Sequence, residues 1–484
     1  MPVSPEPASP PVSRARDRAL FAVTLAVIAA CQLAGEKVRV GHGFGWDGVA
    51  YGEWAQDFHA AVMVRGVTSF QLQRILPSAV VHHALVGLGV ERTNPNVILA
   101  FTLLNTTLLG CAALLWRRIA DELQISWAGK CLGAMALFLN FAVLKLDAFC
   151  PVSTDVPAYT IGAALLYCYL SDRWRMLWAV AVAGAFTWPT TIYYALPLCA
   201  FPRTDPAPGP GPAPARRAAD TVAFLICAAF GAVAISYLWP GYELPTGCAQ
   251  IVKSLAPLSL ALSCAYLFAS LRVLLSAPEL FDRRAVRSAL NARGALGAVT
   301  LFAVLRWVYA AASTGARPFT FGDELGLRVL TSVAKPGVFF LAHALYFGPI
   351  VLLAAGSWRD VCRCIHRQGI GLTLCAILAT VVSAGSESRS LSDAYPLLAP
   401  FIIQALDQQG FTRSRCALFA LFSLVFCRVW FPVNTGPFPD DVLRFPAQNL
   451  FMSMGPWMSW ESYVWQLPVV GLAALMLARP PAAQ

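Results

Sequence analysis

Apolar runs of roughly 15 to 22 residues, separated by charged or Pro/Gly-rich stretches, recur along the whole chain, and no other feature restricts its fold so tightly. In a bilayer each backbone polar group must find its partner within the spanning segment, so runs of this length form helices. Of 484 residues 57% are hydrophobic and only 13% charged, whereas a soluble domain carries about 25% charged residues. Such a chain cannot cover itself with a polar surface. The expected class is all-α: a polytopic helical membrane protein with about 12 transmembrane helices plus re-entrant or interfacial helices.

The net charge of +10 is topological. Lys and Arg gather in one set of loops and acids in the alternate set, as the positive-inside rule requires. This orientation places both termini in the cytoplasm and argues against nucleic acid as a partner. Residues 1–18, rich in Pro, Ser and Arg, read as a disordered cytoplasmic tail. The first span, near 19–35, follows Arg14, Arg16 and Arg18 and reads as an uncleaved signal anchor. Residues 19–201 form an N-terminal membrane module, 202–220 (PRTDPAPGPGPAPARRAAD) a Pro-rich cytoplasmic linker, and 221–484 a C-terminal module. Segment 74–90 contains Pro77, His82 and His83 and reads as interfacial or re-entrant. The stretch 176–201 is expected to break at Trp188-Pro189 into a hairpin, and 395–408 is short enough to be re-entrant.

Fourteen cysteines do not make a disulfide framework, because most sit inside apolar runs and pack as small hydrophobes. Cys150 and Cys248 fall in outer segments and could pair. Cys362, Cys364 and His366 form a CxCxH cluster that lacks a fourth zinc ligand at sensible spacing. Arg306 interrupts an apolar run and is expected to face protein.

Three outer segments carry residues suited to chemistry. GFGWDGVAYGEWAQDF (43–58) holds Trp46, Asp47, Tyr51, Glu53, Trp54 and Asp57. Asp47 lies in a Gly-flanked turn, Glu53 and Asp57 share a face if 48–60 is helical, and Trp46 and Tyr51 could stack on a sugar ring or belong to an interfacial belt. CPVSTDVPAY (150–159) places Asp155 at a helix start, where Ser153, Thr154 or Asp155 itself could serve as cap. GSESRSLSDAYPLLAPF (385–401) holds Glu387, Arg389 and Asp393. A guanidinium there suits a lipid phosphate, and a Glu387–Arg389 ion pair is the bland alternative. Arg74, His82 and His83 could line the same cleft as Asp47. The pairs Asp323-Glu324 and Asp440-Asp441 are of the type that binds a divalent cation. P-loop and HExxH signatures are absent, so an activated donor would have to be lipid-linked.

Taken together, GWDGVAY, QRILPSAV, WRRI, STDVPAY and FTWPTTIYYALP across residues 19–200, with the later ESRSLSDAYPLLAPF, resemble integral-membrane glycosyltransferases of the GT-C superfamily. Those enzymes use polyprenyl-phosphate-linked sugars. The chain departs from that pattern in lacking a DE or DxD pair at Asp47 and a large soluble C-terminal domain. The resemblance implies sugar transfer to an acceptor hydroxyl of a lipid or glycan at the non-cytoplasmic face, by single displacement with inversion. It implies Asp47 as base, with Asp155 and Glu53 as rivals. Arg389, or Arg74, would bind the departing phosphate, and Trp46 and Tyr51 the sugar. Beyond the donor and acceptor, membrane lipids are the expected partners, in a bacterial inner membrane or the endoplasmic reticulum. The competing classes are a multi-span transporter or flippase, which should carry ionisable residues near span centres, and a polysaccharide polymerase or ligase.

Overall fold

The computed structural model describes residues 11–203, 213–238, 251–314, 321–435 and 454–478, with the side chains of 11–14, 213–215 and 321–325 excepted. The described residues are helical, with a single isolated bridge between Val67 and Ser313. The helices of nine residues or more are α1 (Pro11–Ala34), α2 (Gly48–Gln56), α3 (Leu76–Gly87), α4 (Asn94–Glu122), α5 (Trp127–Phe138), α6 (Asp155–Leu170), α7 (Trp174–Ala185), α8 (Thr191–Ala200) and α9 (Ala213–Leu238). They continue as α10 (Ala256–Leu274), α11 (Ala292–Ala312), α12 (Phe321–Val333), α13 (Val338–Phe347), α14 (Trp358–His366), α15 (Ile370–Val382), α16 (Ala394–Gln408), α17 (Arg413–Cys427) and α18 (Trp460–Leu477).

Five of these contain segments long and apolar enough to cross a membrane, within α1, α4, α9, α10 and α11. Two bent pairs raise the number to seven: α5 with 142–149, bent by 48°, and 326–333 with α13, bent by 98°. About 12 spans are therefore not reached by length and composition. The apolar helices α3, α7, α8 and α15 have 10 to 13 residues, and at 1.5 Å per residue none matches a hydrocarbon core of about 30 Å.

Local sequence explains where the helices start and bend. Ser126, Asn291, Thr412 and Ser459 each accept a backbone N–H bond from the first turn of α5, α11, α17 and α18, and each such cap contributes about 1 kcal/mol. At the bend after α5, the Asn140 amide donates to the carbonyls of Ala136 and Leu137 while its oxygen accepts from Val143 N–H. Backbone groups freed by the break are thus satisfied inside the protein, which is what a break at membrane depth needs. The segment then reaches the short turn Asp147–Phe149. The predicted break at Trp188-Pro189 is present, separating α7 from α8.

α4 packs on α6 and α1, α6 on α7 and α16, α8 on α11 and α15, and α9 on α10. Phe141, Tyr169, Tyr194, Tyr346, Phe401 and Phe419 fill the centre. Lipid is as apolar as these side chains, so close packing rather than exclusion from water holds the helices together. The two sequence modules share one core, since α16 of the second lies against α5 and α6 of the first.

Three expectations change. The first helix already begins at Pro11, so only 1–10 of the supposed tail lie outside the described residues. The linker shortens, because α9 starts at Ala213 and takes in the Ala/Arg-rich end of it. Arg306 is exposed on α11, two turns from its C-terminal end, where a long side chain can carry its charge toward the interface.

Candidate active site

Three distant parts of the chain meet at a narrow cleft of about 50 Å³ lined by Trp46, Asp47, Asp147, Ser153, Asp155 and Arg389 among others. Two glycines allow this convergence. A Cβ at Gly48 would lie 2.6 Å from the Val152 carbonyl oxygen, so only glycine lets the start of α2 touch the 150–154 loop. A Cβ at Gly162 would lie 1.9 Å from the Asp393 carbonyl oxygen, so α6 and the segment leading into α16 approach backbone to backbone. The first contact carries Asp47 to Asp155, and the second carries Arg389 to both.

Asp47 is at the N-cap position of α2 but makes no cap bond. Asp155 opens α6, and Thr154 at its N-cap also makes none. Their carboxylates go to Arg389 instead. Its Nε donates to Asp155 Oδ1 at 3.1 Å, and its Nη2 to Asp155 Oδ2 and to Asp47 Oδ2, both at 3.2 Å. Paired contact with both carboxylate oxygens is the strong arrangement for a guanidinium. The Asp155 side chain is 5% exposed and that of Asp47 55%. Asp155 is therefore a fixed anchor for the arginine, and Asp47 a single contact reachable from outside.

The electrostatics follow from that geometry. Arg389 holds the Asp47 carboxyl below the usual carboxylate range, against the upward pull of burial, and Arg74 adds to the effect. Burial works against the charge of Arg389, but Asp155 and then Asp47 outweigh it and raise it well above the ordinary guanidinium value. Cys150 borders the same cleft, and burial pushes its thiol up to about 12, so it is no nucleophile at neutral pH.

Arg389 sits in a single turn, Ser388–Leu391, that is pinned on several sides. His343 Nε2 donates to the Ser383 carbonyl at 2.8 Å, leaving Nδ1 to accept from the Ser388 hydroxyl at 2.9 Å. Ser390 Oγ donates to the Glu387 carbonyl and Ser392 Oγ to that of Arg389, both at 2.6 Å. Asp393, 1% exposed, accepts from the hydroxyls of Thr190 and Thr191 at 2.9 to 3.0 Å. Burial pushes its carboxyl up to about 7, although those threonine bonds pull the other way.

Arg74 lies near enough to act on the Asp47 charge. Its guanidinium lies 4.4 Å over both the Phe70 and Trp188 rings, and Nη1 donates to the Tyr51 hydroxyl at 3.1 Å. The next residues, Ile75 and Leu76, open an apolar groove of about 610 Å³ between α3 and α7, whose other wall includes Trp178, Val182 and Phe186.

The structure brings together Asp47, Asp155 and Arg389, with Trp46 exposed beside them and Arg74 acting on Asp47 through its charge. It does not bring in the other predicted residues. Tyr51 is buried against Trp54 and holds Arg74. Glu53 pairs with exposed Arg65 at 3.3 Å. His82 bonds the Ala55 carbonyl at 2.9 Å and ties α3 to α2, with His83 against its ring edge. Glu387 uses its backbone carbonyl to accept from Arg328 and Ser390. Its side chain is not part of the cleft wall.

Sequence reasoning passed over Asp147 and Ser153 as site residues. The available signal was an acid ending an apolar run in the same outer segment as Asp155. Among the described residues no group of three His, Cys, Asp or Glu is arranged to hold a metal ion. Cys364 instead bonds Gln408, and His366 the Leu274 carbonyl. The Asp323-Glu324 side chains, Asp440-Asp441 and Cys248 lie outside the described residues.

No family model, curated protein or solved structure matches the chain.

Proposed function

We propose that the protein is a membrane glycosyltransferase that moves a sugar from a polyprenyl-phosphate-linked donor to an acceptor hydroxyl at the non-cytoplasmic face. The observation that supports this best is Arg389, held between Asp155 and Asp47 in the cleft, with a long apolar groove starting just past Arg74. The reading includes the twelve-span topology with both termini cytoplasmic, in which α3 is interfacial or re-entrant and α7 and α8 form a hairpin.

In this reading the isoprenoid chain lies in the groove between α3 and α7 and the donor phosphate reaches Arg389. As the stronger anion arrives it displaces Asp47, the exposed single contact, while the paired contact with Asp155 keeps the guanidinium in place. A carboxylate of the cleft takes the proton of the acceptor hydroxyl as that oxygen attacks the anomeric carbon. Lipid phosphate departs from the opposite side with inversion, its growing charge stabilised by Arg389 and, at longer range, Arg74. Trp46 offers an exposed ring for the sugar face.

The test is transfer of radiolabelled sugar from a panel of polyprenyl-phosphate donors by the purified protein and by Arg389→Ala. Transfer by the wild type and loss of it in the variant, with donor binding weakened, is the expected result. Absence of transfer by the wild type with every donor overturns the reading in favour of a transporter or flippase, or of a polysaccharide polymerase or ligase.

A further inference from the structure

Two polar groups in the cleft have no partner. Asp147 is 4% exposed and Ser153 7%, and both line the cleft wall. No hydrogen bond or ion pair reaches the Asp147 carboxylate among the described residues, and Ser153 Oγ is buried without one. Buried polar atoms are nearly always hydrogen-bonded, and leaving one unsatisfied costs about 1–3 kcal/mol. Here a carboxyl group and a hydroxyl that both donates and accepts line one cleft. A ligand hydroxyl satisfies both.

The other two carboxylates are already engaged. Asp155 is locked in the paired contact with Arg389, and Asp47 shares the same cation. The donor phosphate frees Asp47 from Arg389, but the Asp47 side chain is 55% exposed. Asp147 is enclosed, lines the cleft and its carboxyl makes no hydrogen bond among the described residues.

Resting on the glycosyl-transfer reading, we infer that Asp147 and Ser153 form the acceptor-hydroxyl subsite and that Asp147, not Asp47, is the catalytic base. The acceptor O–H bond breaks, its proton passing to an Asp147 oxygen and its electron pair forming the new bond to the anomeric carbon. The bond from that carbon to the donor phosphate breaks, and its pair leaves on the phosphate oxygen beside Arg389. Ser153 donates to or accepts from a second oxygen of the acceptor and fixes its orientation. Asp47 occupies Arg389 until the donor phosphate replaces it.

The experiment compares sugar transfer and donor-lipid binding in wild type, Asp147→Asn, Asp147→Ala, Asp47→Asn and Ser153→Ala. Asp147→Asn is expected to lose about 10²–10⁴-fold in kcat while binding donor like the wild type, and added formate is expected to restore part of the activity of Asp147→Ala. Asp47→Asn should retain more than a tenth of kcat, and Ser153→Ala should raise the acceptor KM with kcat little changed. The inference is overturned if Asp47→Asn abolishes transfer while Asp147→Asn keeps more than a tenth of it, or if formate rescues nothing. Where the Asp147 variants do not purify, an unchanged acceptor KM in Ser153→Ala overturns it and a raised one supports it. Absence of transfer by wild type removes the glycosyl-transfer reading itself, an outcome distinct from all of these.

Discussion

At the scale of single residues, Arg389 neutralises a buried carboxylate from a distant part of the chain. Removing it by Arg389→Leu leaves Asp155, 5% exposed, charged and unpaired. Breaking a buried ion pair from one side typically destabilises by about 3–5 kcal/mol. The expected outcome is a clear fall in melting temperature in detergent, and Asp155→Asn combined with Arg389→Leu should recover part of it. Asp393 gives a pH dependence of defined sign. Its carboxyl is raised to about 7 when folded, against about 3.9 when unfolded. The folded state therefore binds the extra proton between those values, and stability falls as pH rises from about 4 to about 7, by at most about 4 kcal/mol. In Asp393→Asn this slope should be absent from the melting temperatures measured across that range. Asp47, Asp155 and Arg389 were legible in the sequence because acids and an arginine in outer loops have few structural reasons to be there. Asp147 and Ser153 were not, because an acid ending an apolar run and a serine near a helix start look like ordinary boundary residues. Only the structure shows that neither one caps anything.

At the scale of elements, the site depends on backbone contact between α6 and the segment entering α16. Gly162→Ala places a methyl group 1.9 Å from a carbonyl oxygen, which the helices can relieve only by moving apart. Overpacking of this kind costs about 1–3 kcal/mol, and here it also pulls Asp155 away from Arg389. Gly162→Ala should therefore weaken transfer more than its loss of stability alone explains, as measured by activity at a temperature where both proteins stay folded. The groove between α3 and α7 makes a separate prediction. Ala183→Trp fills it and should raise the KM for long-chain polyprenyl donors several-fold while sparing short-chain analogues. The break at Trp188-Pro189 was readable because proline lacks an N–H and disrupts a helix locally. The number of spans was not. Apolar runs of similar composition became helices of 10 to 29 residues, and contacts between distant segments occur at some of the ends, as where the Leu76 N–H at the start of α3 donates to the Phe186 carbonyl just past α7.

At the scale of the whole molecule, the division into two modules was read from the composition of the Pro-rich stretch, and composition says nothing of how the two sides pack. Helices from both sides build one core. What the sequence does carry at this scale is charge asymmetry, which the proposed topology uses directly. Single cysteines at Asp57 and at Arg284, introduced into a chain with its accessible thiols removed, should be labelled by a membrane-impermeant reagent from opposite sides. Labelling of both from one side would remove the twelve-span arrangement.

Because the guanidinium that Asp47 and Asp155 share belongs to a residue more than two hundred positions further along, a growing chain carries both acids for a long stretch without it, and of the cations acting on Asp47 only Arg74 is already present. The first half can insert, but it cannot settle. Asp155 gains its partner only once Arg389 has been made and the contact at Gly162 closes, so the site is assembled late in the folding of the chain rather than as an early step in it.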